Sequence, residues 1–145
     1  MDLGLQGKVA LVTAGSKGLG KGIALELARE GAQVVISSRS EEELKRAVAE
    51  IKEATGSESF YVAADLTKGE DIDRLTSSVL EQFGRVDILV NNTGGPPPGF
   101  FADFGDDQWQ KAVDLLLLSS VRLIRAVLPG MRERGWGRII NSTSV

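Results

Sequence analysis

The sequence predicts an α/β fold: a doubly wound parallel sheet, strand order 3-2-1-4-5, with helices on both faces. Apolar runs of strand length alternate with segments of helical period along the whole chain, and the connections are short. The first apolar run breaks into a glycine-rich turn, and a helical pattern follows at once. Right-handed crossovers fix the winding, and a switch point between the first and fourth strands sets the order.

Val9–Thr13 reads as the first strand. Ile23, Ala24, Leu27 and Ala28 share one face of a helix over Lys21–Glu30, which Gly31 stops as a C′ glycine. Gln33–Ser37 is a β-branched second strand. Ser40 with Glu43 three residues on has the capping-box pattern, opening a helix to about Ala54, with Gly56 beyond it. Ser59–Ala64 is the third strand, and Thr67 caps a helix from Glu70 to Phe83 that Gly84 ends. Val86–Asn91 is the fourth strand. Residues 93–105, with Gly94, Gly95, Pro96, Pro97, Pro98, Gly99 and Gly105, form a functional loop rather than a linker. Asp106 starts one long helix to Arg134, broken by Gly135 and Gly137, and Arg138–Ser142 is the fifth strand. No repeat, low-complexity segment or linker interrupts the pattern, so residues 1–145 read as one domain.

The 145 residues are 42% hydrophobic and 26% charged, ordinary for a globular domain. A net charge of −3 gives no footprint of a nucleic-acid binder. The chain has neither cysteine nor histidine. That excludes disulfides and thiolate metal sites and removes the usual general base, so no metal is expected. No apolar run approaches the roughly 20 residues of a membrane span, and Met1–Lys8 lacks a signal-peptide pattern. A cytoplasmic protein without membrane partners is expected.

The turn Gly15-Ser16-Lys17-Gly18-Leu19-Gly20 lies between a strand and a helix, the local design of a dinucleotide site. Glycines let the backbone approach a pyrophosphate, and the helix N-terminus offers unpaired N–H groups. At the end of the second strand an acid would select NAD, and an Arg accommodates the 2′-phosphate of NADP. Ser38 and Arg39 stand there, with Lys17 as a weaker second cation. NADP(H) is therefore the expected cofactor, with NAD(H) left open. Asp65, followed by Leu66, ends the third strand, where its carboxylate either accepts from an adenine amino group or serves as a helix-capping or turn Asp before Thr67-Lys68-Gly69. At the end of the fourth strand Asn91 and Asn92 can tie strand ends together. Thr93 follows, and Gly94 permits close approach to a ribose; a plain turn is the alternative.

The turn Thr13–Gly20, Asp65, Asn91-Asn92-x-Gly94 and Ile139–Ser144 occur in the order of the short-chain dehydrogenase/reductase family, which the chain resembles over essentially its whole length. It especially resembles the 3-oxoacyl-carrier-protein reductase branch and relatives often named simply short-chain oxidoreductases. The resemblance implies a Rossmann fold, NAD(P)(H), hydride transfer to or from a small-molecule carbonyl or alcohol, and a catalytic set of Asn, Ser, Tyr and Lys. Ser144 matches the catalytic Ser; its alternative is a Ser/Thr-rich turn. The chain also departs from the pattern. Ala14 stands at the first motif glycine, Thr93 at the usual Ala, and Leu116 where the catalytic Asn is expected. The Tyr and Lys positions fall beyond Val145, and the single tyrosine, Tyr61, lies inside the third strand. Residues 1–145 are thus expected to be the cofactor-binding part of a longer oxidoreductase and inactive alone. A non-catalytic dinucleotide-binding or regulatory protein is the rival that Leu116 favours. An altered enzyme with another acid/base is a third option. Four consecutive leucines in the long helix exceed one apolar stripe of about 100°, so either the following helix of a longer chain or another subunit must cover the second face; the resemblance implies a homodimer or homotetramer through that helix, and a homo-oligomer is expected.

Overall fold

A computed structural model describes residues 1–143. Five parallel strands form one sheet in the order β3-β2-β1-β4-β5: β1 Val9–Thr13, β2 Gln33–Ser38, β3 Ser59–Ala63, β4 Ile88–Asn91 and β5 Arg138–Asn141. The order and the parallel pairing are those the sequence predicts. β1 is central because all five of its residues are apolar or small enough to be buried on both faces. Val9 and Leu11 point into one core with Ile72, Leu75, Leu123 and Val127. Ala10 and Val12 point into the other with Ala24, Ala28, Leu44 and Ile51. The first core is covered by α3 (Gly69–Phe83) and α5 (Ser119–Arg134), the second by α1 (Gly18–Arg29) and α2 (Glu41–Thr55).

Three local differences from the sequence expectation have physical causes. Helix α1 begins at Gly18, with Lys17 as N-cap, so the second half of the glycine turn is already its first helical turn. The N-cap of α3 is Lys68 rather than Thr67, because Asp65 Oδ1 accepts from both the Thr67 N–H, at 3.0 Å, and the Thr67 hydroxyl, at 2.7 Å. The long helix is not uniform. Between α4 (Asp106–Val113) and α5 lies a π-turn over Asp114–Leu118, where the Ser119 N–H donates to the Asp114 carbonyl five residues back. The Ser119 hydroxyl turns back onto the Leu115 carbonyl in the same turn.

The extra residue in that turn splits the leucines. Leu115 packs against the first core, while Leu116 and Leu117 remain 46% and 57% exposed. With Trp109, Val113, Val121 and Leu128 they make a second apolar face on the α4–α5 helix. Beside it, β5 is an edge strand with Ile140 exposed. Among the described residues no helix is long and apolar enough to cross a membrane, and no group of His, Cys, Asp or Glu side chains is placed to hold a metal.

Candidate cofactor cleft

A cleft of about 470 Å³ opens at the carboxyl ends of β1 to β4, across the point where the chain switches from one side of β1 to the other. The fold brings to it Ser16 and Lys17 from the glycine turn, Ser38 and Arg39 from the end of β2, Leu66 after β3, and Thr93 and Gly94 after β4. A second cavity of about 900 Å³ continues past Thr93 and Gly94. Leu19, Asn92, Leu116 and Thr143 are among the residues around it. Ser144 lies outside the described residues.

The glycine turn is shaped by close approach. A Cβ on Gly20 would overlap the Ala14 carbonyl oxygen and lie 2.9 Å from Asn92 Nδ2. One on Gly15 would lie 2.8 Å from Ile36 Cβ. Only glycine lets α1 seat this tightly against β1 and β2. Ala14 itself sits at φ 48°, a left-handed conformation that costs a residue with a Cβ roughly 1–2 kcal/mol. The turn holds it nonetheless, because Gly15 N–H donates to the Ser37 carbonyl at 3.0 Å and Asn92 Nδ2 to the Ala14 carbonyl at 3.5 Å. The N–H groups of Gly18, Leu19 and Gly20 have no helical acceptor behind them, so an anion at this end of α1 finds three donors and the positive end of the helix dipole.

Asn91 and Asn92 anchor the far wall. Asn91 Nδ2 donates to Asn141 Oδ1 at 2.9 Å, tying β4 to β5. The Asn92 N–H donates to the Thr13 hydroxyl at 3.0 Å, which in turn donates to the Asn92 carbonyl at 2.7 Å. The Asn91 side chain thus ties strand ends as expected, whereas at Asn92 the tie to β1 is made by the Thr13 hydroxyl and the Asn92 backbone, and a Cβ on Gly94 would meet nothing within 4 Å.

Charge is distributed unevenly. Arg39 is exposed, and it makes no ion pair among the described residues. Lys17 does: its Nζ lies 3.5 Å from Glu43 Oε1. Glu43 also accepts from the Ser16 hydroxyl at 3.3 Å. It is a cleft residue that sequence reasoning assigned to a helix cap. Asp65 stands at the carboxyl end of β3 but is not among the cleft-lining residues. Burial pushes its carboxyl up, but the hydroxyl and N–H of Thr67, with Lys68 and Arg39 nearby, outweigh this and hold it below the ordinary carboxylate range. It therefore serves the turn before α3, which leaves one carboxylate oxygen outside these two hydrogen bonds.

These features fit a dinucleotide: a cradle that side chains would fill, an anion-facing helix end, and a free guanidinium where an adenosine ribose would end. The second cavity is different. No titratable side chain lines it among the described residues; its polar groups are amides and hydroxyls. Such a wall can orient a ligand but supplies no proton donor suited to neutral pH.

The family model described as short chain dehydrogenase matches residues 8–145. The chain is 37% identical over 138 residues to a 3-oxoacyl-(acyl-carrier-protein) reductase of Staphylococcus epidermidis, covering 95% of this chain and 57% of that protein. It superposes on the crystal structure of L-sorbose reductase from Gluconobacter frateurii, complexed with NADPH and L-sorbose, with a TM-score of 0.95 and 41% identity. That match covers 100% of this chain and 55% of the reductase. A metagenomic short-chain oxidoreductase in complex with NADP matches with a TM-score of 0.92 and 37% identity, over 97% of this chain and 64% of that one. The chain thus spans 55% to 64% of the length of these relatives.

Proposed function

Because the chain belongs to the short-chain dehydrogenase family, we propose that it forms the dinucleotide-binding part of an oxidoreductase acting between a nicotinamide cofactor and a carbonyl or alcohol, with NADP(H) preferred. The observation that carries the preference is Arg39: a guanidinium in the cleft at the end of β2 that makes no ion pair among the described residues. The NADPH and NADP bound in the two similar structures support the same reading.

In this reading the backbone of Gly15, Ser16, Lys17, Gly18, Leu19 and Gly20 holds the pyrophosphate, and Ser38 and Arg39 receive the 2′-phosphate. Asp65 and Leu66 flank the adenine, and Asn92, Thr93 and Gly94 border the ribose on the nicotinamide side. The bound nicotinamide supplies or accepts the hydride. Ser144, by its match to the family motif, holds the substrate oxygen. The described wall of the second cavity carries no acid or base. Residues 1–145 alone are accordingly proposed to bind dinucleotide without turnover.

The test is Arg39→Asp. Exchanging a cation for an anion removes a charge-assisted contact and adds repulsion, so NADPH should bind at least about 30-fold more weakly by calorimetric titration, with NADH affected much less. Equal loss of both cofactors counts against the assignment.

A second reading has one observation in its favour. Leu116, where the family places a catalytic Asn, is 46% exposed beside the second cavity and cannot hold a proton-relay water. A non-catalytic dinucleotide-binding or regulatory protein would tolerate it. Assay of the full-length protein with NADPH and a panel of ketones separates the two: turnover is expected, and tight binding with no turnover favours the second. A cytoplasmic location and a homodimer or homotetramer are proposed with the enzyme reading. The exposed apolar face of α4–α5 supports the oligomer, which light scattering on the full-length protein tests.

A further inference from the structure

Among the described residues lining the cofactor cleft, Glu43 is the only acid. Its spacing from Ser40 is that of a capping box, in which its carboxylate turns back to the Ser40 N–H. Half of that box forms: the Glu43 N–H donates to the Ser40 hydroxyl at 3.3 Å. The carboxylate goes elsewhere. Oε1 lies 3.5 Å from Lys17 Nζ, and Oε2 accepts from the Ser16 hydroxyl at 3.3 Å. Both partners belong to the glycine turn, so a side chain of α2 contacts that turn and occupies polar groups offered there. The Glu43 side chain is only 33% exposed, so water screens its charge less than that of an open surface acid.

We infer that Glu43 is a specificity-determining residue: a built-in anion that opposes an adenosine 2′-phosphate and keeps Lys17 from it. The inference rests on the dinucleotide reading of the cleft. A phosphate dianion beside Arg39 meets the Glu43 charge and competes with it for Lys17 and Ser16. A dinucleotide with a free 2′-hydroxyl adds no charge there and meets neither cost. Arg39 therefore sets the direction of cofactor preference, and Glu43 limits its size.

Glu43→Gln tests this with little risk to the fold, since the Ser40 cap uses the Glu43 backbone and not its side chain. The readout is affinity, by calorimetric titration of the full-length protein with NADPH and with NADH. E43Q is expected to bind NADPH about fivefold tighter than wild type, with NADH changed by less than about twofold. An unmoved melting temperature shows that the fold is intact. NADPH affinity unchanged or weakened in E43Q, or both cofactors tightened equally, overturns the role of Glu43. It leaves the cleft reading standing so long as wild type still binds NADPH. If neither protein binds NADPH or NADH, the cleft reading falls and the inference with it.

Discussion

Gly20→Ala is expected to weaken dinucleotide binding by about 100-fold or more while leaving the sheet folded. The new Cβ would overlap the Ala14 carbonyl oxygen, a backbone atom with no flexible end to move, and crowd Asn92 Nδ2. Either α1 retreats from the turn or the Ala14 peptide rotates. Both misdirect the N–H groups of Gly18 and Leu19. Overpacking of this kind costs about 3 kcal/mol when backbone meets Cβ. Two misaimed charge-assisted contacts lower affinity by about 100-fold or more. Urea titration reads the first effect and NADPH calorimetry the second. Gly22→Ala is the matched control: its Cβ meets nothing within 4 Å, and alanine is the better helix former by about 1 kcal/mol. An NADPH affinity for G20A equal to that of wild type would show that the turn does not hold the pyrophosphate.

Asp87→Ala is expected to cost about 3 kcal/mol of stability without touching the cleft. Asp87 is fully buried at the amino end of the sheet, opposite the site. Its Oδ2 accepts from the Val9 N–H at 2.9 Å, and its Oδ1 accepts from Arg85 Nε and Nη2 at 2.9 and 2.7 Å. Arg134 Nε stands 3.5 Å away. Its own N–H donates to the Val9 carbonyl and its carbonyl accepts from the Arg138 N–H, so one residue ties β1, β4 and β5. Alanine leaves the Val9 N–H buried without an acceptor; Arg85, 38% exposed, can turn to water, which keeps the cost at the lower end for a broken buried pair. The pH dependence has a definite sign. Burial pushes the Asp87 carboxyl up, but Arg85, the Val9 N–H and Arg134 pull it below the ordinary range. A depressed folded value stabilises the fold above about pH 4, and that stability is lost as pH falls through the folded value. Denaturant titrations should therefore show wild type and D87A converging in acid. A constant gap down to pH 2 would mean that packing, not charge, carries the effect.

What the sequence made legible was whatever depended on uninterrupted pattern. Val9–Thr13 is apolar over its whole length because it lies mid-sheet, and its length and place can be read directly. Gly84 and Gly56 end their helices at φ 73°, as C-terminal glycines do. The π-turn was not legible: Leu115–Leu118 is apolar on all sides, so no stripe marks where the register slips. Thr67 has the residue type of a cap, but Asp65 holds its hydroxyl. Asp87 was hidden inside an apolar run, although a lone acid in such a run, two residues after an Arg, is the signal of a buried pair. Glu43 shows the limit most clearly. Ser-x-x-Glu spacing states a local option, and tertiary contact with Ser16 and Lys17 overrides half of it. The strand ends, the glycines and the place of Arg39 at the end of β2 were readable from spacing; the contacts of Glu43 with Ser16 and Lys17 depend on α2 lying beside the turn.

The most direct test of the cofactor assignment is a crystal structure of the full-length protein with NADPH. The pyrophosphate should lie at the N-terminus of α1 within about 3 Å of the backbone N–H groups there, with the 2′-phosphate against the Arg39 guanidinium. A dinucleotide bound away from the glycine turn, or a 2′-phosphate in solvent with Arg39 turned from it, would contradict the account.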